Sequence, residues 1–359
     1  MRPLAPLALS LALSASALAW GDHGHELVNR AAARALPADV IECLRREARL
    51  TYLGPEPDRW RLGDLAEMNK AFAPDHFVDF EWCDKIDPDR PPPDRYAYAA
   101  TLREAGRKPE QVGFAPYMVI ELCQRLEAAV VALELIDPAH PEAAERRKQA
   151  EEALVFVAGV LGHYVADLAN PHHTTIHYNG WKGDNPEGFA TDGGTHARFE
   201  SVFVRRELER IRPKVVVSAA PKSDLDYGRA VWDLIRESND QLRPLYRLDK
   251  QRAFVEGSDP TAGVDFAAQR MVRGATLLRD LWVTATRRGQ RRAASQRVRQ
   301  SIYDLLEEKG LDLEVRVDLD GKVTLRGKLD DPAVYERVVG AIRALPGAAE
   351  VRPRVRVLY

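Results

Sequence analysis

Residues 163–173 read HYVADLANPHH, and the rest of the chain can be interpreted around them. The first six of them, residues 163–168, end a proline-free run, residues 150–168. Apolar side chains recur in this run at helical spacing, so we predict one helix here. His163 and Asp167 are four residues apart and share a face of that helix. Pro171 then turns the chain out, which lets a following histidine return towards that face. Imidazole and carboxylate at this spacing suit zinc, although a core histidine satisfied by its aspartate gives the same pattern.

A second pair has the same design. His196 and Glu200 are four residues apart at the start of a predicted helix, residues 197–212, which follows the turn TDGGT. Two such pairs about thirty residues apart favour a metal centre. Glu200 could instead be an ordinary first-turn carboxylate that the helix dipole favours.

The N-terminus has the features of a secretory signal peptide. Residues 1–19 combine Arg2, an apolar run and a small-residue site, which predicts cleavage between Ala19 and Trp20 and a secreted or periplasmic protein. Cleavage would free the Trp20 amine, which can lose its proton near neutral pH and bind a metal.

Together these residues resemble the superfamily of zinc-dependent phospholipases C and single-strand-specific nucleases. The resemblance rests on a mature N-terminal Trp with a nearby His, a His-x-x-x-Asp helix followed by Pro and His, and a later His-x-x-x-Glu. It implies a mostly helical enzyme with three zinc ions in a cleft. Asp58 and His76 match two further ligand positions of the family in order and approximate spacing.

The resemblance also implies how the ligands divide. The three predicted zinc sites are Asp58, His76, His163 and Asp167; the Trp20 amine and carbonyl with His25 and a bridging Asp167; and His173, His196 and Glu200. The family's usual Gln-Pro-x-His is replaced by Asn-Pro-His-His, and spacing from Asp167 favours His173 over His172 as the ligand.

The mechanism that follows is direct hydrolysis of a phosphodiester by zinc-activated water, without a covalent intermediate. Asp58 is the candidate to orient or deprotonate that water, and Arg61 is a candidate phosphate contact. A proline-marked turn would present Asp58 on a loop, although a helix N-cap is the commoner use of such a residue.

Features of both branches are present. Glu200 as the last ligand and the stretches 25–31 and 269–274 resemble phospholipases C, whereas the short start from Trp20 to His25 looks more like the nucleases. The loop 177–186 carries Tyr178 and Trp181, which could face a base or a choline-like cation, or could only hold the loop in place.

Composition narrows the class of protein without choosing a substrate. The 359 residues are 45% hydrophobic and 30% charged, with a formal net charge of −2, so nothing draws the whole chain to nucleic acid or anionic membrane. Nothing indicates a protein partner. Three cysteines, Cys43, Cys83 and Cys123, allow one disulfide in three possible pairings, or none.

The last part of the chain has a different pattern. A basic stretch precedes it, so we divide the chain into a zinc domain (20–288), a linker (289–296) and a C-terminal domain (297–359). Its predicted order, helix-strand-strand-helix-strand, makes a small α+β module that resembles a BON domain. Such modules are associated with phospholipids, and alternating arginines on the last strand, Arg352, Arg354 and Arg356, could meet lipid head groups or water.

The sequence therefore predicts a mainly α zinc-dependent hydrolase of phosphodiesters, most closely phospholipase C-like, followed by a small α+β module. One alternative is a nuclease for single-stranded nucleic acid on the same metal cluster. Another is a non-catalytic envelope protein in which zinc is structural, for which a closed coordination sphere is expected.

Overall fold

The computed structural model describes residues 20–62, 64–329 and 331–357. The predicted signal peptide, residues 1–19, lies outside the described residues. The described chain is mostly helical with one small sheet near its C-terminus, which confirms the predicted layout. Its helices of seven or more residues are Gly21–Arg34, Glu47–Leu53, Ala66–Phe72, Arg95–Glu104, Ala115–Glu134, Ala143–Ala169, Tyr227–Asp240, Leu242–Lys250, Thr261–Glu308 and Pro332–Arg343.

The central helix, Ala143–Ala169, contains the predicted run and begins earlier in the chain. Gly162 lets it approach the N-terminal helix closely, because a Cβ at this position would overlap the side chain of Asn29. The Asn29 amide in turn donates to the carbonyl of Gly159 at 3.0 Å. The helix is long and apolar enough to cross a membrane, but 78% of its apolar window is buried inside the protein. It is therefore the core helix of the helical part.

Two local predictions differ from the structure. Asp58 lies in a one-turn helix, Glu56–Arg59, and not on a loop, because a proline is readily accommodated in the first turn of a helix. The segment predicted as one helix over 197–212 is interrupted: a π-helical turn, Arg198–Phe203, follows one α-turn and precedes two more. This wider turn contains Glu200, and π-turns of this kind are frequent at functional sites.

The longest helix, Thr261–Glu308, runs without a break from the helical part into the C-terminal module. The predicted linker, residues 289–296, is thus helical. Buried apolar side chains form two separate clusters, one between Trp20 and Ala285 and the other between Val298 and Ile342. The helix belongs to both clusters and connects them.

The C-terminal module has the predicted order of elements. Strands β1 (Leu313–Val317) and β2 (Lys322–Leu329) pair antiparallel, and β3 (Glu350–Val357) pairs parallel to β2, so β2 is central. Apolar side chains on one face of the sheet are buried, while Arg326 and Arg354 are exposed on the strands β2 and β3 and lie directly opposite each other. Neither arginine makes an ion pair within the described part of the chain.

The three cysteines are unpaired and buried. Of the alternatives that the sequence left open, the structure therefore has no disulfide among Cys43, Cys83 and Cys123. Burial raises the pKa of the Cys43 thiol to about 11, so it behaves as a small apolar side chain.

Candidate metal centre

Separate elements bring buried imidazoles and carboxylates to the C-terminal end of the central helix. The helix itself supplies His163 and Asp167, the N-terminal helix supplies His25, and one-turn helices supply Asp58 and His76. All five residues are buried, the most exposed at 4%. Burial of this many ionisable groups is costly unless they are paired or bind metal ions.

The carboxylate of Asp167 lies close to three of the imidazoles. Its Oδ1 lies 3.5 Å from His25 Nε2, and its Oδ2 lies 3.0 Å from His76 Nδ1 and 3.3 Å from His163 Nε2. Asp58 is at the edge, with an oxygen 3.9 Å from His163 Nε2. Two groups here could each hold a metal ion: His25, His163 and Asp167; and Asp58, His76 and His163.

Contacts behind His163 fix which ring nitrogen faces the other ligands. Its Nδ1 donates to the carbonyl of Gly54 at 2.9 Å, so Nε2 is the nitrogen that faces Asp167, at 3.3 Å. Metal-binding histidines are commonly oriented by such an outer hydrogen bond. The arrangement therefore suits a metal ligand better than an ordinary core histidine.

A third group that could hold a metal ion consists of His173, His196 and Glu200. Glu200 Oε2 lies 2.8 Å from His196 Nε2 and 3.4 Å from His173 Nε2. His173 is oriented in the same way as His163, because its Nδ1 donates to the carbonyl of His76 at 2.7 Å. The structure thus brings His173, rather than its neighbour His172, into this group.

Asn170 supports the third group from the end of the central helix. Its side-chain amide donates to Glu200 Oε2 at 2.7 Å, and its Oδ1 accepts from the backbone N–H of His172. It is fully buried. Asn170 therefore ties the glutamate to the chain turn that carries His173.

The electrostatics of the cluster follow from burial and from contacts between its members. Burial raises the pKa of Asp58 to about 6 and lowers the pKa of His76 to about 4. Burial also opposes ionisation of Glu200, but the imidazoles of His196 and His173 outweigh it and bring the pKa down to about 2. The imidazoles thus favour the ionised form of Glu200, which is the form that binds a cation.

Trp20 lies beside the cluster. Its ring is fully buried, its Nε1 donates to the carbonyl of Ala166 at 2.7 Å, and its backbone has a left-handed φ of 48°. The residue before it lies outside the described part of the chain. Ligation by a freed Trp20 amine therefore stays a prediction.

A cleft of about 490 Å³ opens beside both ends of the cluster. His76 and His173 line it together with Arg61, whose guanidinium is 3.5 Å from Asp58. Tyr178 and Lys182 also line it, with the ammonium 4.9 Å from the centre of the ring. Two cations thus flank the candidate ligands in one cleft.

The two aromatic residues of the loop 177–186 have different positions. Trp181 is buried, stacks on His177 at 4.1 Å and donates to the carbonyl of Asp184, so it holds the loop in place. Tyr178 is 44% exposed and lines the cleft. Of the predicted pair, only Tyr178 can offer an aromatic face to a ligand here.

Sequence reasoning missed Asp79, which lines the cleft and is 5% exposed. Burial, together with nearby Glu81, raises its pKa to about 7. Its place three residues after the predicted ligand His76 was the available signal. Asn170 was also missed, although it lies between the two parts of the defining stretch.

No family model matches the chain, and no curated protein matches it.

Proposed function

We propose that the protein is a zinc-dependent phosphodiester hydrolase of the phospholipase C type that cleaves phospholipid head groups. The observation that supports this most is one cleft that is lined by residues of two ligand groups and by two cations: His76 of one group, His173 and His196 of the other, and Arg61 and Lys182. Clustered metal sites with cations nearby are suited to a negatively charged phosphodiester.

The residues present fit metal ions. Oxygens of Asp58, Asp167 and Glu200, and both ring nitrogens of His25, are buried and lack a hydrogen-bond partner within the described chain. Buried polar atoms without partners are rare in proteins and mark places where an ion or water binds. Histidine and carboxylate ligands without cysteine suit zinc in a catalytic site.

The protein's own groups can be given roles. Zinc bound by these ligands would activate a water molecule and neutralise charge on the phosphodiester. Asp58, at the edge of the cluster, would orient or deprotonate the attacking water, and Arg61 would contact a phosphate oxygen. No side-chain nucleophile is required.

A nuclease for single-stranded nucleic acid is the second candidate. The exposed ring of Tyr178 in the cleft favours it, because an aromatic face can stack with a base of any sequence. Lys182 next to this ring would contact a neighbouring phosphate.

The test is a paired assay of the zinc-loaded protein on phosphatidylcholine vesicles and on single-stranded DNA, with and without chelator. We expect chelator-sensitive release of phosphocholine, and we expect His163→Ala to lower the rate at least a hundredfold because His163 belongs to two ligand groups. His140→Ala is the matched control, since His140 lies outside the cleft and the ligand groups.

The outcomes separate the candidates. Cleavage of DNA alone would replace the phospholipase proposal by the nuclease. Zinc binding without hydrolysis of either substrate would contradict both and favour a non-catalytic zinc protein.

We also propose that the C-terminal module contacts a membrane surface. On its sheet, Arg326 and Arg354 are exposed on neighbouring strands, where like charges repel, and Glu314 on β1, the other neighbour of Arg326, offsets this repulsion only in part. Anionic lipid head groups would relieve this repulsion.

A further inference from the structure

His172 is the histidine of the defining stretch that no ligand group uses. It is 1% exposed, and neither of its ring nitrogens has a hydrogen-bond partner within the described chain. It nevertheless lines the cleft beside the third group. Both nitrogens of a buried imidazole seldom stay unpaired, so this side chain needs a partner that residues 20–62, 64–329 and 331–357 do not supply.

Packing, and not hydrogen bonding, fixes the His172 ring. Its centroid lies 5.0 Å from that of His196, 5.9 Å from that of Phe199 and 6.1 Å from that of Tyr246. Its backbone N–H donates to Asn170, which also holds Glu200. The ring is therefore held at a fixed place next to the third group, while both of its nitrogens lack a partner within the described chain.

The neighbouring residue explains why His172 need not be a ligand. His173 turns its Nε2 towards Glu200 and His196, which completes a three-ligand group. A neutral imidazole has one N–H donor and one acceptor nitrogen. A phosphodiester has acceptor oxygens, so the donor of His172 has a natural partner in a phosphate held at this group.

We propose that His172 is a substrate-binding residue whose ring N–H donates to a phosphate oxygen of the ligand held at the His173, His196 and Glu200 group. The inference rests on the proposed function and adds a residue to its site. A hydrogen bond to a charged acceptor is stronger than one between neutral groups, so its loss should change phosphate affinity measurably.

The test uses the zinc-loaded full protein with inorganic phosphate as the probe. Titration calorimetry would measure phosphate affinity and elemental analysis the zinc content of the parent, His172→Phe and His172→Gln. We expect His172→Phe, which keeps a planar ring, to retain the parental zinc content and bind phosphate about tenfold more weakly. His172→Gln, which restores a donor, should recover part of that affinity. His140→Phe controls for the same substitution away from the cleft.

Three results would overturn the inference. Loss of zinc in His172→Phe would make His172 a ligand, unchanged phosphate affinity would make it a packing residue, and a parent that does not bind phosphate would remove its partner. Failure of the proposed function is distinguishable, because phosphate affinity is measured without turnover. A parent that binds phosphate through His172 but hydrolyses neither substrate would contradict only the hydrolase.

Discussion

At the scale of single residues, two inward-facing imidazoles are oriented by carbonyl oxygens behind them. Gly54 fixes the tautomer of His163, and the His76 carbonyl fixes that of His173. The four-residue spacing of His163 and Asp167 shows in the sequence that they share a helix face. Which nitrogen faces inward could not be predicted, because Gly54 is 109 residues away along the chain.

The buried imidazole of His76 predicts a loss of stability of the metal-free fold in acid. His76 has a pKa of about 4 when folded and about 6.5 when unfolded. Between these values the unfolded chain takes up the proton first, so the contribution of His76 to stability is lost as the pH falls from about 6.5 to about 4. The free energy of unfolding of the chelated protein should fall by about 1–3 kcal/mol more than that of His76→Gln over this interval.

Urea unfolding at several pH values would measure this difference. Comparison with the variant is necessary because Asp58 acts in the opposite direction: its raised folded pKa, about 6, makes protonation favour the folded state. Equal pH dependence in parent and variant would contradict the prediction.

At the scale of elements, the close contact between the central and N-terminal helices should tolerate no added methyl group. In Gly162→Ala, the new Cβ would overlap Asn29, which is itself held by hydrogen bonds to Leu50 and Gly159. We expect a loss of about 1–3 kcal/mol in the free energy of unfolding, and weaker zinc binding because His163 is the next residue. Thermal unfolding and zinc titration would measure both.

Gly340 offers a matched control for this substitution. It also lies inside a helix, Pro332–Arg343, but a Cβ there would meet nothing within 4 Å. Gly340→Ala should therefore stabilise the protein by about 0.5–1 kcal/mol. Destabilisation by both substitutions would show that the backbone, and not the helix contact, decides the effect.

Sequence patterns were sufficient to predict some of the helices and not others. Apolar periodicity predicted the central helix, although every residue of it from 158 to 169 is buried and not one face alone. The π-turn at Arg198–Phe203 and the helical conformation of residues 289–296 could not be predicted in the same way. Arginine-rich sequence is compatible with both a linker and a helix, and the contacts that select the helix come from distant residues such as Glu127, whose carboxylate pairs with Arg292 at 2.6 Å.

At the scale of the whole molecule, the C-terminal module has two positive charges side by side on neighbouring strands of its sheet, which lowers its stability. Arg354→Glu would place a carboxylate opposite Arg326 on the neighbouring strand. This substitution should raise the free energy of unfolding by a few tenths of a kcal/mol and, if the proposed membrane contact exists, weaken binding to anionic vesicles severalfold.

Vesicle sedimentation and thermal unfolding would test this pair of effects. Arg147→Glu makes the same charge change on an exposed part of the central helix, away from the sheet, and should leave vesicle binding unchanged. Equal loss of binding in both variants would indicate general charge attraction, and no loss in either would contradict the proposed contact.

The helix Thr261–Glu308 determines where the proposed hydrolase could act. Its 48 residues extend about 72 Å at 1.5 Å per residue, without a hinge of irregular chain between the two cores. A flexible linker would let the cleft take many positions relative to an anchoring surface. A continuous helix instead fixes the distance and direction between the cleft and the C-terminal module. An anchored molecule would therefore hydrolyse only bonds that lie at that distance and direction from its anchor.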